Sequence, residues 1–228
     1  MATIFEMAAD QVRDGDVVGL GSGRASTEFI KRLGARVQAG LKMRGVPTSE
    51  ASAHLATQLR IPLVSLDEGM PLALTVDGAD EVDPRLDLIK GYGRALVREK
   101  IVAAASRRLV ILVGKDKLVG KLGGRGKLPV EVIPLAEPLA RRRLKELGVE
   151  PVLWGDASGP LKTDNGNYIL DCAVSLPGLA DAAAFAAAAG AVPGVVGTGL
   201  FLGMADVVLV GDQDANFAFV EEKKRPSP

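Results

Sequence analysis

The sequence predicts an α/β protein in which a parallel-sheet domain is interrupted by a smaller, ferredoxin-like α+β domain. Three observations carry this reading. First, short and nearly continuous apolar runs such as VVGL (17–20), LALTV (72–76) and RLVILVG (108–114) alternate with segments of helical period. Strands buried on both faces of a parallel sheet have that appearance. Second, the pattern changes at a glycine-rich, basic connection, GGRGKLP (123–129). Third, the order beyond it is β-α-β-β-α-β, the order of a ferredoxin-like module. The expected boundaries are 1–127 with 202–228 for the larger domain and 128–201 for the smaller.

The elements follow in order. Ile4, Ala8 and Val12 recur every four residues, which predicts a helix over 3–13 that Gly15 ends. VVGL is a buried strand that enters a glycine turn. ASTEFIKRLGARV (25–37) is a helix with Phe29, Ile30, Leu33 and Val37 on one side. LKMRGVP (41–47), the helix SEASAHLATQL (49–59), IPLVSL (61–66), LALTVDGAD (72–80) and LDLIKG (86–91) continue the alternation. ALVREKIVAAA (95–105) is a helix and RLVILVG a strand.

In the second part LPVEVIP (128–134) is a strand and AEPLARRRLKELG (136–148) a helix. PVLW (151–154) and YILDCAV (168–174) are strands with a TDNGN turn (163–167) between them. GLADAAAFAAAAG (178–190) is a helix whose small residues suit close packing on a sheet, and VVGTGLF (195–201) is the last strand of the module. ADVVLVG (205–211) and NFAFVEE (216–222) return to sheet, and the tail EEKKRPSP (221–228) is expected to fray.

Bulk properties narrow the function classes. The 228 residues are enough for a substantial core, with 47% apolar and 25% charged residues. Lys+Arg and Asp+Glu number 28 each, so no basic footprint for nucleic acid is expected. No stretch of about 18 apolar residues suggests a membrane span, and the N-terminus lacks a signal-peptide pattern. The single cysteine, Cys172, cannot form an intrachain disulfide, which fits a cytoplasmic protein. With one histidine, His54, and one cysteine, no zinc site is expected.

Three segments carry chemistry. GLGSGRAS (19–26) follows a strand and opens a helix. Free N–H groups and the positive dipole end at a helix N-terminus attract anions. Ser22 and Ser26 add hydroxyls, and Arg24 adds a charged fork. Arg24 stands where a dinucleotide fingerprint needs its third glycine, and GKDKLVGKL (114–122) fails as a phosphate-binding Walker loop. A phosphate or carboxylate is the expected ligand; a plain tight turn is the alternative.

In DGADEVD (77–83), Asp77 and Asp80 flank Gly78 and Ala79 at a strand's C-terminal end, where open parallel sheets bind ligands. Ala79 breaks the calcium-loop spacing, so acid/base or hydroxyl-binding roles fit Asp77 and Asp80 better than metal ligation, with a solvated acidic turn as an equal alternative. Glu81 and Asp83 are expected to be solvated turn residues. Lys90-Gly91-Tyr92-Gly93 closes another strand, with glycines that let a ligand approach the backbone and a lysine that brings charge. Glu99 sits beside the apolar stripe of the next helix. Partial desolvation there would suit a general base. By spacing alone, a salt bridge to Arg94, Arg98 or Lys100 is the better explanation of Glu99.

Together, GLGSGRAS, VPTSEAS, DGADEVD, LIKGYGRALVREKI, LPVEVIP, TDNGN with YILD, and PGVVGTGLF resemble the type A ribose-5-phosphate isomerase family. They occur in family order from about Gly19 to Phe201, and DGADE followed by KGxGxALxREK is the most specific pair. The resemblance implies a Rossmann-like catalytic domain with a ferredoxin-like lid and oligomerisation domain, assembled as a homodimer or homotetramer. It implies interconversion of ribose 5-phosphate and ribulose 5-phosphate through a cis-enediolate, in the non-oxidative pentose phosphate pathway, with no cofactor and no metal. On the family pattern Glu99 is the acid/base. Asp77, Asp80 and Lys90 assist ring opening and hold sugar oxygens, with Lys90 also stabilising the enediolate. Ser22, Gly23, Arg24 and Ala25 match the phosphate loop, beside Ser26. Gly78, Ala79, Gly91, Tyr92 and Gly93 line the sugar, and Lys117 helps bind it.

Departures from the family pattern are local. Arg24-Ala25 replaces hydroxyl residues, and Tyr92 replaces a glycine, either narrowing the pocket or pointing outward. Lys115 stands in a segment that is usually more acidic. Two other classes remain for comparison. A sugar-phosphate sensor would be expected to carry a DNA-binding helix-turn-helix, for which this chain has no spare residues. A CoA-transferase-like enzyme would use a glutamate nucleophile without the Asp77/Asp80/Lys90 set.

Overall fold

The computed structural model describes residues 2–225. The chain begins with α1 (Ile4–Ala9), β1 (Val17–Leu20), α2 (Arg24–Gln38), β2 (Arg44–Pro47), α3 (Glu50–Gln58), α4 (Leu66–Gly69) and β3 (Leu74–Gly78). β4 (Glu81–Val82), β5 (Leu88–Ile89), α5 (Leu96–Ala104), β6 (Leu109–Gly114) and β7 (Lys127–Val132) follow. Then come α6 (Glu137–Glu146), β8 (Glu150–Leu153), β9 (Gly155–Asp156), β10 (Gly159–Pro160) and β11 (Tyr168–Ala173). The last elements are α7 (Ala182–Gly190), β12 (Val195–Thr198), β13 (Leu200–Phe201), β14 (Val207–Asp212) and β15 (Ala218–Lys224). They form two compact units. One runs through Ala79, resumes over Arg98–Lys117 and again from Gly203; the other is Asp80–Val97 with Leu118–Leu202.

The first unit is built on a six-stranded sheet in the order β15-β14-β6-β3-β1-β2. Neighbours from β14 to β2 are parallel, and β15 adds antiparallel at the edge. Alternation along β1 explains the two buried faces. Val18 and Leu20 join Val76, Val110 and Leu112 against Phe5, Phe29, Ile30 and Leu33. Val17 points the other way, to a cluster with Val46, Leu72 and Val102. Strand order reverses between β1 and β3, and the C-terminal strand ends at such a switch point are where doubly wound sheets bind ligands.

The second unit carries the antiparallel sheet β12-β7-β11-β8, in the ferredoxin-like order. Leu128, Val130, Val132, Leu170 and Cys172 pack on Ala140 and Leu144 of α6 and Ala182, Phe185 and Ala189 of α7. The alanine run is thus a helix whose small face is buried.

Several local expectations are corrected. The first helix ends at Ala9, where the N–H groups of Gln11 and Val12 already turn to carbonyls three residues back. IPLVSL contributes a single bridge, Leu63 to Gly45, before Ser65 and Glu68 form a capping box that starts α4; capping chemistry overrides the strand-like pattern. LDLIKG does not join the parallel sheet. Asp83 accepts the N–H groups of Arg85 and Asp87, which folds the intervening turn and returns β5 antiparallel to β4, with β13 on its other side. Between β8 and β11, β9 and β10 pair as an additional antiparallel hairpin. In the expected frayed tail, Glu221–Lys224 instead pair with β14, and the charges mark an edge strand. Residues 226–228 lie outside the described residues.

Candidate active site

In the first unit the glycine turn and the acidic turn meet. Asp77, 1% exposed at the end of β3, is the centre of that meeting. Its Oδ1 accepts the N–H of Gly78 at 2.8 Å, the Ser26 hydroxyl at 2.8 Å and the N–H of Ser22 at 3.1 Å. Gly21 is required by this contact, because a Cβ there would fall on the Asp77 carboxylate. Gly23, at φ +88°, turns the chain into α2 as its N-cap. Gly23 and Arg24 are exposed and Ala25 half-buried, so the helix N-terminus faces solvent. Ser26 is fully buried, so its part in the site passes through Asp77.

The Ser22 hydroxyl lies 2.7 Å from both the Thr48 and the Ser49 hydroxyls. Ser49 caps α3. Three hydroxyls and two helix N-termini therefore collect at the C-terminal ends of β1 and β2, a setting that favours an anion. Thr48 and Ser49 escaped the sequence reading as site residues. Their signal was present, a hydroxyl pair directly after a strand, but it also describes an ordinary helix start.

Glu99 sits in the first turn of α5 and is 4% exposed. Burial lowers its neighbour Lys100 to about 8. Lys117 lies in the single turn after β6, 3.5 Å from Asp116, whereas Lys115 turns to Asp212 at 2.9 Å. Gly78 and Ala79 are half-buried beside these acids in the chain.

In the second unit Lys90 is 3% exposed. Its N–H donates to the Gly199 carbonyl at 2.9 Å, and its ammonium lies 5.4 Å from the centre of the Phe201 ring. Asp80 is held from two sides: its N–H donates to the Ile89 carbonyl, and its Oδ2 accepts the Tyr92 N–H at 2.9 Å. Gly91 has φ +105°, and Leu96 presses on the spot a Cβ would occupy. Gly93 is exposed, with open space above it.

The Tyr92 side chain packs against the core of the second unit, and its hydroxyl donates to the Lys127 carbonyl at 3.1 Å. Burial, with the Glu81 and Asp80 carboxylates, holds its phenol above the ordinary value. Arg94, one of the cations expected to pair with Glu99, is instead bound to Asp171 through both guanidinium nitrogens.

Two acids read as solvated turn residues are buried. Glu81 is fully enclosed and accepts the N–H groups of Gly123 and Arg125 at 2.7 and 2.8 Å. It anchors the glycine-rich connection, which reaches it only in three dimensions. Asp83 is buried because it closes the turn before β5. Among the described residues no group of three or more His, Cys, Asp or Glu side chains is arranged to hold a metal. Among them, too, no helix is long and apolar enough to cross a membrane.

Comparison with known proteins gives this arrangement its family. The model of the ribose 5-phosphate isomerase A (phosphoriboisomerase A) family matches residues 44–215. The chain belongs to the ribose 5-phosphate isomerase A family. Ribose-5-phosphate isomerase A of Roseiflexus castenholzii is 50% identical over 212 residues, covering 92% of this chain and 90% of that protein. The isomerase structure from Methanocaldococcus jannaschii superposes with a TM-score of 0.89 at 39% identity, over 97% of this chain and 96% of that one. A D-ribose-5-phosphate isomerase in complex with phospho-erythronic acid has a TM-score of 0.88 at 36% identity, over 99% of this chain and 100% of that one. The family match contains the acidic turn, the lysine turn and Glu99. The glycine turn at 19–26 precedes it.

Proposed function

We propose that this chain, a ribose 5-phosphate isomerase and so an aldose–ketose isomerase, works through Glu99 as its acid/base. The observation that carries the proposal is a carboxylate 4% exposed at the position of the family's REK motif. In the open-chain aldose, Glu99 takes the proton from C2. The C–H electron pair becomes the C1=C2 bond, and the C1 carbonyl oxygen takes up negative charge. The O2 proton passes to the negatively charged O1, and the cis-enediolate then receives the proton from Glu99 at C1, which leaves O1 as the ketose hydroxyl and O2 as the C2 carbonyl. Electrostatic support for the developing oxyanion is the main requirement of such a step. A nearly buried Lys90 supplies it.

Asp77, Asp80 and Lys90 assist ring opening and hold the sugar hydroxyls, with Lys117 as a further contact. Gly78, Ala79, Gly91, Tyr92 and Gly93 contribute backbone along the sugar. Ser22, Gly23, Arg24 and Ala25 bind the phosphate, with Thr48 and Ser49 steering the Ser22 hydroxyl and Ser26 steering Asp77. Fixing the phosphate lets remote binding energy position C1 and C2. The phospho-erythronic acid held by a relative supports this reading. It carries a phosphate at one end and a carboxylate, shaped and charged like part of an enediolate, at the other. The reaction needs no cofactor.

The proposal extends to a homodimer or homotetramer, with 128–201 as the lid and oligomerisation domain, acting in the cytoplasm in the non-oxidative pentose phosphate pathway. Exposed Ile133, Leu135 and Leu139 around the start of α6 support an assembly; light scattering on the purified protein tests it. The activity is tested by mixing purified protein, with EDTA present, with ribose 5-phosphate and following ketose. No turnover sinks the isomerase reading and favours a sensor. With turnover established, Glu99→Gln is expected to lower kcat at least about 10²-fold. An undiminished kcat moves the base elsewhere.

A further inference from the structure

The turn between Lys90 and α5 holds a residue in an unfavourable conformation and fastens it with unusual care. Arg94 has φ +69°, a left-handed backbone that is unfavourable for a side chain-bearing residue. Its N–H closes the turn on the Gly91 carbonyl at 3.0 Å. Its two terminal nitrogens bind the two oxygens of Asp171 on β11 at 2.7 and 2.9 Å. The guanidinium carbon lies 4.7 Å from the centre of the Trp154 ring. Both charged side chains are less than one-fifth exposed, at 18% and 19%. A paired fork in a partly dry site is a strong and directional contact.

A second tether runs beside the first. Lys127 on β7 places its ammonium 3.7 Å from Asp171 and 4.1 Å from the centre of the Tyr92 ring, and its carbonyl accepts the Tyr92 hydroxyl. Tyr92 and Arg94 are thus both pinned to the antiparallel sheet. Between and beside them the backbone does other work: Tyr92 N–H holds the Asp80 carboxylate, and Lys90 N–H is bound to Gly199.

We propose that the Arg94–Asp171 pair, stacked on Trp154, is a positioning clamp that fixes the Lys90–Gly93 turn and through it the orientation of Lys90 and Asp80. Arg94 does not touch substrate in this scheme; it acts through the turn. The inference rests on the isomerase reading, in which Lys90 and Asp80 meet the sugar. Small misplacements of such groups cost rate more than affinity when the phosphate anchors the ligand elsewhere.

Four variants test this: Arg94→Gly, Arg94→Lys, Asp171→Asn and the double variant R94G/D171N. Glycine accepts the left-handed backbone, so Arg94→Gly removes the clamp without leaving strain. The expected result is a kcat for ribose 5-phosphate about 10- to 100-fold lower in Arg94→Gly and in Asp171→Asn. KM is expected to change less than about threefold. The double variant should lose less than the product of the two single losses, because both single variants break the Arg94–Asp171 pair, even though Asp171 also faces Lys127. Millimolar guanidinium ion should restore part of kcat in Arg94→Gly only, since it can refill the site beside Asp171. Arg94→Lys, which keeps charge but loses the fork, should remain impaired. Should Arg94→Gly fold poorly, Asp171→Asn and its kcat–KM split decide the matter. Wild-type kcat in Arg94→Gly or Asp171→Asn, or additive losses in the double variant, overturn the clamp. Such a result leaves the isomerase reading intact, because that reading fails only if the unaltered protein does not turn over.

Discussion

Removing the Asp77 carboxylate is the sharpest test of how the two turns of the first unit are joined. Three donors end on one oxygen: the N–H groups of Ser22 and Gly78 and the Ser26 hydroxyl. Hydrogen bonds to a charged acceptor contribute about 1.5–3 kcal/mol each. Asp77→Ala orphans all three in a site that is 1% exposed. Water entering the vacated space satisfies some of them, so the lower part of the range applies. The expected loss is about 3 kcal/mol, or roughly 10²-fold in the unfolding constant. Asp77→Asn keeps an acceptor of the same shape and loses only the charge assistance, so a loss of about 1 kcal/mol is expected. Urea unfolding of the three proteins measures both, with an unchanged slope showing that only stability moved. The kinetics should divide in the same way. Both variants lose kcat, but only Ala frees the Ser22 backbone and should raise KM. An Ala variant as stable as wild type, or an Asn variant as damaged as Ala, would refute the view that Asp77 organises the glycine turn.

Other outcomes follow from the same geometry. Arg24→Ala should mainly raise KM for ribose 5-phosphate, since Arg24 is exposed at the start of α2; an unchanged KM removes it from the phosphate site. Ser22→Ala, which also breaks the links to Thr48 and Ser49, should raise KM while leaving unfolding within about 1 kcal/mol of wild type; a normal KM would show the hydroxyl cluster to be structural. Burial raises Glu81 above its ordinary 4.5, despite the N–H groups of Arg125 and Gly123 and the Arg125 charge. The native state therefore binds this proton more tightly than the unfolded chain, and the associated stability is full below about 4.5 and lost as pH rises through the folded value. Unfolding of wild type and Glu81→Gln from acid to neutral pH checks this: the wild-type advantage should shrink as pH rises across that window, and a constant difference contradicts it.

Much of the architecture was legible because it depends on local periodicity. VVGL and RLVILVG read as buried strands and became β1 and β6; ASTEFIKRLGARV became most of α2. The ferredoxin-like order was visible in the succession of LPVEVIP, AEPLARRRLKELG, PVLW and YILDCAV. What misled were short segments in which two local signals compete. IPLVSL is apolar like a strand, yet Ser65 near its end forms a capping box with Glu68 and starts a helical turn at Leu66. LDLIKG is strand-like, but Asp83 decides its direction by closing the turn before it.

By itself the sequence determined the order of elements, the absence of any disulfide within the chain, and a set of acids, glycines and a lysine at strand ends. Hydrophobic period and turn chemistry act over a few residues, so they can be read from a few residues. Only the tertiary structure decided what those groups face. Glu81 looked like surface and is enclosed because Gly123 and Arg125, 42 and 44 residues away, bring their N–H groups to it. Asp77 meets Ser22 because β3 lies beside β1, a neighbour relation that no local pattern encodes. Arg94 was a candidate partner for Glu99, five residues on, and instead binds Asp171, 77 residues on, because β11 brings that carboxylate within reach of both guanidinium nitrogens. A charge specifies that it needs a partner, and the fold supplies which one.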